Sequence, residues 1–98
     1  MTPEAKVKAK VKKILDASGA YYFMPATGGF GRSGVPDIVG CINGRFFAIE
    51  CKAGNNKPTA LQDREMRCIE DAGGRVLVVN EDNIDVVAQM LHRLASLK

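Results

Sequence analysis

The chain has 98 residues, of which 46% are hydrophobic and 26% charged, and it carries a formal net charge of +3. At that length one small domain spanning 1–98 is expected, with a core thin enough that burial in a dimer interface would help it. No run of eighteen apolar residues is present, and the lysine-rich N-terminus has no apolar signal-peptide core. Cys41, Cys51 and Cys68 show no Cys-x-x-Cys spacing. These features speak against a membrane span, a secretory signal, a disulfide framework and a zinc cluster, and a reducing cytoplasm fits them.

Thr2-Pro3 is a good helix start, with Thr as N-cap and Pro in the first turn. Val7, Val11, Ile14 and Leu15 make the apolar face of this first helix, and Gly19 ends it. Glu4 lies on that same side. It reads either as favourable charge at the helix N-terminus or as an acid pointing past the core edge to a metal. Lys6, Lys10 and Lys13 form a stripe at i, i+4 and i+7, which is either a solvated face or a surface for nucleic-acid phosphates. Ala20 to Met24 reads as a strand, with Tyr21 and Tyr22 on opposite faces.

Gly28 to Gly34 is a polar loop containing Gly29-x-Gly31-x-x-Gly34, the letters of a dinucleotide fingerprint. That fingerprint needs a helix to open at its last glycine, whereas Val35-Pro36 directs the chain into extended geometry. The loop is read instead as leading into the site, with Arg32 and Ser33 as candidate phosphate contacts.

Two apolar runs follow, joined at Asn43-Gly44. Both central residues of a type I′ turn need positive φ, so this dipeptide predicts a tight hairpin. Ile42 then faces Arg45, Cys41 faces Phe46, Gly40 faces Phe47, Val39 faces Ala48, and Ile38 faces Ile49. Asp37 falls opposite Glu50, with opposed Cβ atoms roughly 4.5–5.5 Å apart, where like charges repel. Lys52 projects from the same face as Glu50, and the Cys51 side chain from the other. Two acids in strongly apolar surroundings call for a counter-charge. They suit a hard divalent ion such as Mg²⁺, to which the Cys51 backbone carbonyl is a further candidate ligand and beside which Lys52 can stabilise charge on a phosphate.

Gly54 to Pro58 is a second loop, in which Lys57 is a candidate phosphate contact. Thr59-Ala60-Leu61-Gln62 is a capping box opening a helix to about Ala72, closed by Gly73-Gly74. Val76 to Val79 is a continuous apolar run, as in a strand buried on both faces. Asp82 or Asn83 is expected to open a last helix whose buried stripe is Ile84, Val87, Ala88, Leu91, Leu94 and Ala95. His92 falls off that stripe and is assigned no role. The order α-β-β-β-α-β-α, with a helix linking two strands, predicts an α/β fold with a mixed central sheet flanked by helices.

Ser33-Gly34-Val35-Pro36-Asp37-Ile38, then Phe47-Ala48-Ile49-Glu50-Cys51-Lys52, Thr59-Ala60-Leu61-Gln62, and Gly73-Gly74 before an apolar strand resemble the virus-type replication-repair nuclease (VRR-NUC) domain of the PD-(D/E)xK, restriction-endonuclease-like superfamily. The resemblance runs from the first helix to about Val79. It implies a Mg²⁺- or Mn²⁺-dependent phosphodiesterase in which Asp37 and Glu50 bind metal, Lys52 is catalytic and Gln62 supports the site. It also implies a homodimer selective for structured DNA, such as branched or four-way junctions, and hints at a phage or mobile-element origin. Cys51 stands where an aliphatic residue is commoner. A different class stays open: a catalytically weak DNA-binding or accessory module of a replication or recombination complex. A nucleotide-binding protein is disfavoured by Pro36.

Overall fold

The structure is a computed structural model that describes residues 1–26 and 31–98. Part of the glycine loop read from the sequence, Gly28-Gly29-Phe30, lies outside the described residues. In chain order the elements are α1 (Pro3–Ser18), β1 (Tyr21–Phe23), β2 (Ile38–Ile42), β3 (Arg45–Cys51), α2 (Ala60–Asp71), β4 (Arg75–Val79) and α3 (Asp85–Ser96). The four strands form one sheet in the order β1-β2-β3-β4. The first three pair antiparallel, and β4 joins β3 in parallel through the α2 crossover. The expected mixed sheet flanked by helices is therefore present. No helix among the described residues is long and apolar enough to cross a membrane.

Local chemistry accounts for most boundaries. The Thr2 hydroxyl accepts from the Ala5 N–H, Pro3 sits in the first turn of α1, and Gly19 closes the helix in the left-handed region. On α2 the capping box is complete. Thr59 Oγ1 accepts from the Gln62 N–H at 3.2 Å, and Gln62 Oε1 accepts from the Thr59 N–H at 2.9 Å. Its far end is a Schellman closure: the Gly74 N–H donates to the Ile69 carbonyl and the Gly73 N–H to that of Glu70.

Asn43 (φ 54°) and Gly44 (φ 75°) both take positive φ, as the type I′ turn requires. The resulting register pairs Ile38 with Ile49, Val39 with Ala48, Gly40 with Phe47, Cys41 with Phe46 and Ile42 with Arg45, as expected from the sequence. The turn also reaches across the fold. Asn43 Nδ2 donates to the Leu94 carbonyl at 3.0 Å and to the Leu97 carbonyl at 2.6 Å, closing the open end of α3.

The sheet's two faces are covered unequally. Phe47, Ile49 and Cys51 of β3, with Ile38 and Val79, meet Val7, Val11 and Leu15 of α1 and Val87, Met90, Leu91 and Leu94 of α3 in one buried core. The other face carries α2, which packs on β4 through Met66 and leaves Tyr21, Phe23 and Phe46 exposed.

Three expectations are corrected. Ala88 and Ala95, read as part of the buried stripe of the last helix, are exposed, and Met90 is buried with Val87, Leu91 and Leu94 instead. The Val76–Val79 run is not a strand buried on both faces: β4 is the sheet's edge, and Val78 is 38% exposed. Its outer edge is closed by a side chain, since Asn83 Oδ1 accepts from the Asn80 N–H and Asn83 Nδ2 donates to the Val78 carbonyl. One amide thus makes the pair of bonds a neighbouring strand would make. Neither Asp82 nor Asn83 opens the last helix. Asn80 Oδ1 accepts from the Asp82 and Asn83 N–H groups to form a turn, and α3 starts at Asp85 without a side-chain cap.

Asn43→Ala removes the closure of α3 and places a Cβ residue without a side-chain amide at φ 54°. It is expected to lower stability by about 2 kcal/mol, read as a shift of the urea midpoint at unchanged m-value.

Candidate functional site

The ladder between β2 and β3 stops at Ile38↔Ile49. One residue further on, side chains take over from backbone pairing. The Cys51 N–H donates to Asp37 Oδ2 at 2.8 Å, and the Asp37 N–H donates to Glu50 Oε1 at 3.2 Å. Each acid is thereby oriented by a backbone amide on or beside the opposing strand. Its second oxygen meets an ammonium: Lys52 Nζ lies 3.1 Å from Glu50 Oε2, and Lys8 Nζ lies 3.6 Å from Asp37 Oδ1. Asp37, Glu50 and Lys52 therefore come together as the hairpin register predicts.

The field at this cluster is strained toward a cation. Glu50 is buried, and that burial, with the charge of Asp37 behind it, holds its carboxyl above the usual carboxylate range. Lys52 and the Asp37 N–H pull the other way without prevailing. On the opposite face the Cys51 thiol is fully buried, and desolvation foremost pushes it up to about 12. At neutral pH it is a protonated core residue. Glu4 is half-buried in the first turn of α1, and its charge also bears on that thiol. It does not join the acid pair: among the described residues no three His, Cys, Asp or Glu side chains converge.

The N-terminus of α2 is held against the approach to the site. Gly34 has φ 78°, and a Cβ there would lie 2.6 Å from the Leu61 carbonyl, so only glycine lets the strand-entry loop lie on the first turn of α2. Arg32 then makes a two-pronged pair with Glu65 on α2, Nε to Oε1 at 2.9 Å and Nη2 to Oε2 at 2.8 Å. Gln62 is in this first turn, with its carbonyl oxygen engaged in the cap. Arg32 is thus occupied by a carboxylate in this structure, and Ser33 beside it is exposed.

The lysine stripe and the loop lysine stand apart from the acid pair. Lys6, Lys10 and Lys13 are exposed on α1, with Lys6 and Lys10 flanking a shallow groove that includes Glu81. Lys57 is exposed in the connection before α2. Two participants escaped the sequence reading. Glu65 carried no motif. Lys8 lay hidden in a run of lysines, although its position four residues after Glu4 and three before Val11 puts it on the flank of the buried stripe.

No protein-family model matches the chain. A protein of Acyrthosiphon pisum secondary endosymbiont phage 1, described as "Putative nuclease p44", is 34% identical over 85 residues, covering 86% of this chain and 85% of that protein. A solved structure described as a VRR_NUC domain superposes with a TM-score of 0.74 at 26% identity, over 94% of this chain and 97% of that one. The likeness extends over almost the whole fold, and the chain belongs to the VRR-NUC family of restriction-endonuclease-like domains.

Proposed function

We propose that this protein is a metal-dependent DNA endonuclease that hydrolyses phosphodiester bonds, acts on branched or otherwise structured DNA, and works as a homodimer. The observation that carries the reading is the acid pair at the open end of the hairpin, with Lys52 3.1 Å from Glu50. Family membership supports it, and so does the run of lysines along α1 of this chain.

The donor set fits Mg²⁺ or Mn²⁺. Two carboxylates with fixed oxygens and no third acid among the described residues match an ion that takes one or two carboxylates and fills its remaining positions with water and phosphate oxygens. Asp37 and Glu50 are the ligands, with the Cys51 carbonyl as a further donor and Glu4 as a candidate that a shift of α1's first turn would have to bring in. When bound, the ion polarises the phosphate and makes water a better nucleophile. Lys52 presents its ammonium where negative charge develops on the phosphoryl oxygens. Gln62 offers its amide N–H₂ toward the attacking water or the phosphate. Arg32, Ser33, Lys57 and the stripe Lys6, Lys10 and Lys13 bind the DNA backbone, Arg32 by exchanging Glu65 for a phosphate.

A two-fold dimer places two such sites on two strands, as cutting a junction requires. Three free thiols suit a reducing cytoplasm, here that of a phage host.

With labelled single-stranded, duplex, flap and four-way-junction DNA, Mg²⁺ or Mn²⁺ is expected to produce cleavage that EDTA stops, fastest on a branched substrate. Asp37→Asn and Lys52→Met are each expected to reduce the rate at least about 100-fold while keeping the wild-type circular dichroism spectrum. Binding without cleavage at every metal concentration overturns the reading.

The field on Glu50 gives a second expectation. Its folded-state pKa is raised, so its contribution to stability is present at low pH and is lost as pH rises through that pKa. In metal-free buffer Glu50→Gln is therefore expected to match wild type at acidic pH and to gain in relative thermal stability toward pH 8. Millimolar Mg²⁺ is expected to raise the melting temperature of wild type and not of Glu50→Gln.

A further inference from the structure

The four charges of the site form two closed pairs. Asp37 and Glu50 each give one oxygen to a backbone N–H, and each turns the other toward a lysine. The oxygens open to a divalent ion are therefore the ones an ammonium already faces, and the ion cannot enter beside both lysines without strong like-charge repulsion. One ammonium has to yield. Lys52 is only 12% exposed and is held against a carboxylate that is 2% exposed. Lys8 is 33% exposed, its partner Asp37 is 22% exposed, and the separation is longer, 3.6 Å against 3.1 Å. Lys8 also reaches the site from α1, which packs on the opposite face of the sheet from Glu50, on a flexible four-carbon stem that can swing into solvent.

We propose that Lys8 is an exchangeable counter-ion of the site: it neutralises Asp37 in the free protein, leaves when the metal enters, and then pairs with a DNA phosphate at the rim of the same site. The inference rests on the metal-dependent reading above. Its consequence is thermodynamic coupling. In the free protein Lys8 competes with the metal, whereas bound DNA draws Lys8 away and so strengthens metal binding. By reciprocity the metal strengthens DNA binding by the same factor. The enzyme thereby loads its metal preferentially when substrate is present.

The test is calorimetric titration of Mn²⁺ into the full chain, alone and with a short phosphorothioate-linked DNA duplex that resists cleavage. The proteins compared are wild type, Lys8→Gln, Lys8→Arg and Lys12→Gln, the last being a charge control on the same helix. Without DNA, Lys8→Gln is expected to bind Mn²⁺ about two- to five-fold more tightly than wild type, the size appropriate to an ion pair one-third exposed. Lys8→Arg and Lys12→Gln are expected to bind as wild type does. Duplex is expected to tighten Mn²⁺ binding to wild type and to have a smaller effect on Lys8→Gln. Affinity for Mn²⁺ that is unchanged or weaker in Lys8→Gln, an equal gain in Lys12→Gln, or equal coupling in wild type and Lys8→Gln overturns the proposal. If wild type binds Mn²⁺ and cleaves DNA while Lys8→Gln titrates like it, this inference alone falls. If wild type binds no Mn²⁺ at all, the metal-dependent reading falls with it.

Discussion

The two hydrogen bonds between Asp37, Glu50 and Cys51 are the constraint on which the site depends. They stand where the β2–β3 ladder would next have made backbone pairs. A carboxylate accepts there in place of a carbonyl, so the acids serve as structural members of the hairpin and as its concentration of negative charge. The register that aligns them comes from a turn six residues away from Asp37. Asn43 and Gly44 allow only one way of folding back, and a slip by one residue would move Glu50 into the core and Cys51 into its place. The turn is itself held by the Asn43 side chain on the last carbonyls of α3. Packing at one end of the sheet thus secures the electrostatics at the other.

Glu50 shows what this arrangement costs. A buried carboxylate beside another acid is disfavoured, and one close ammonium and one N–H do not fully offset burial. Strain of this kind persists only where the surrounding fold over-determines the geometry. Here the fold does so from several directions: β3 is paired on both edges, α1 and α3 fill one face, and α2 lies against the other. The glycine at position 34 and the Arg32–Glu65 pair then hold the loop that leads to Asp37 against α2.

What could be read from the sequence was whatever local chemistry decides. The Asn-Gly turn specified the register residue by residue, and the Thr59–Gln62 box specified where α2 begins, because both depend on neighbours a few positions apart. What could not be read depends on distant partners. Val76 to Val79 looks like a doubly buried strand by composition, but only the sheet order reveals that it is an edge. Asn83 looks like a helix cap, yet β4 recruits its amide to close that edge. Arg32 looks like a phosphate ligand, and its pairing with Glu65 is 33 residues distant in the chain. Lys8 was concealed among similar residues, since identity alone does not tell which lysine of a run reaches an acid on another element.

Three consecutive residues of β3 show how coverage, more than identity, assigns chemistry. Glu50, Cys51 and Lys52 alternate across the sheet. The helices over the Cys51 face leave its thiol without solvent and push it up to about 12, so the most nucleophilic side chain in the triplet is disabled. On the face with Glu50 and Lys52 the carboxylate of Glu50 is buried, while its neighbours Lys52 and Asp37 keep partial exposure. Covalent catalysis by the thiol is therefore closed to this strand. What the other face holds is a pair of acids and an ammonium, groups whose chemistry suits a cation and a phosphate.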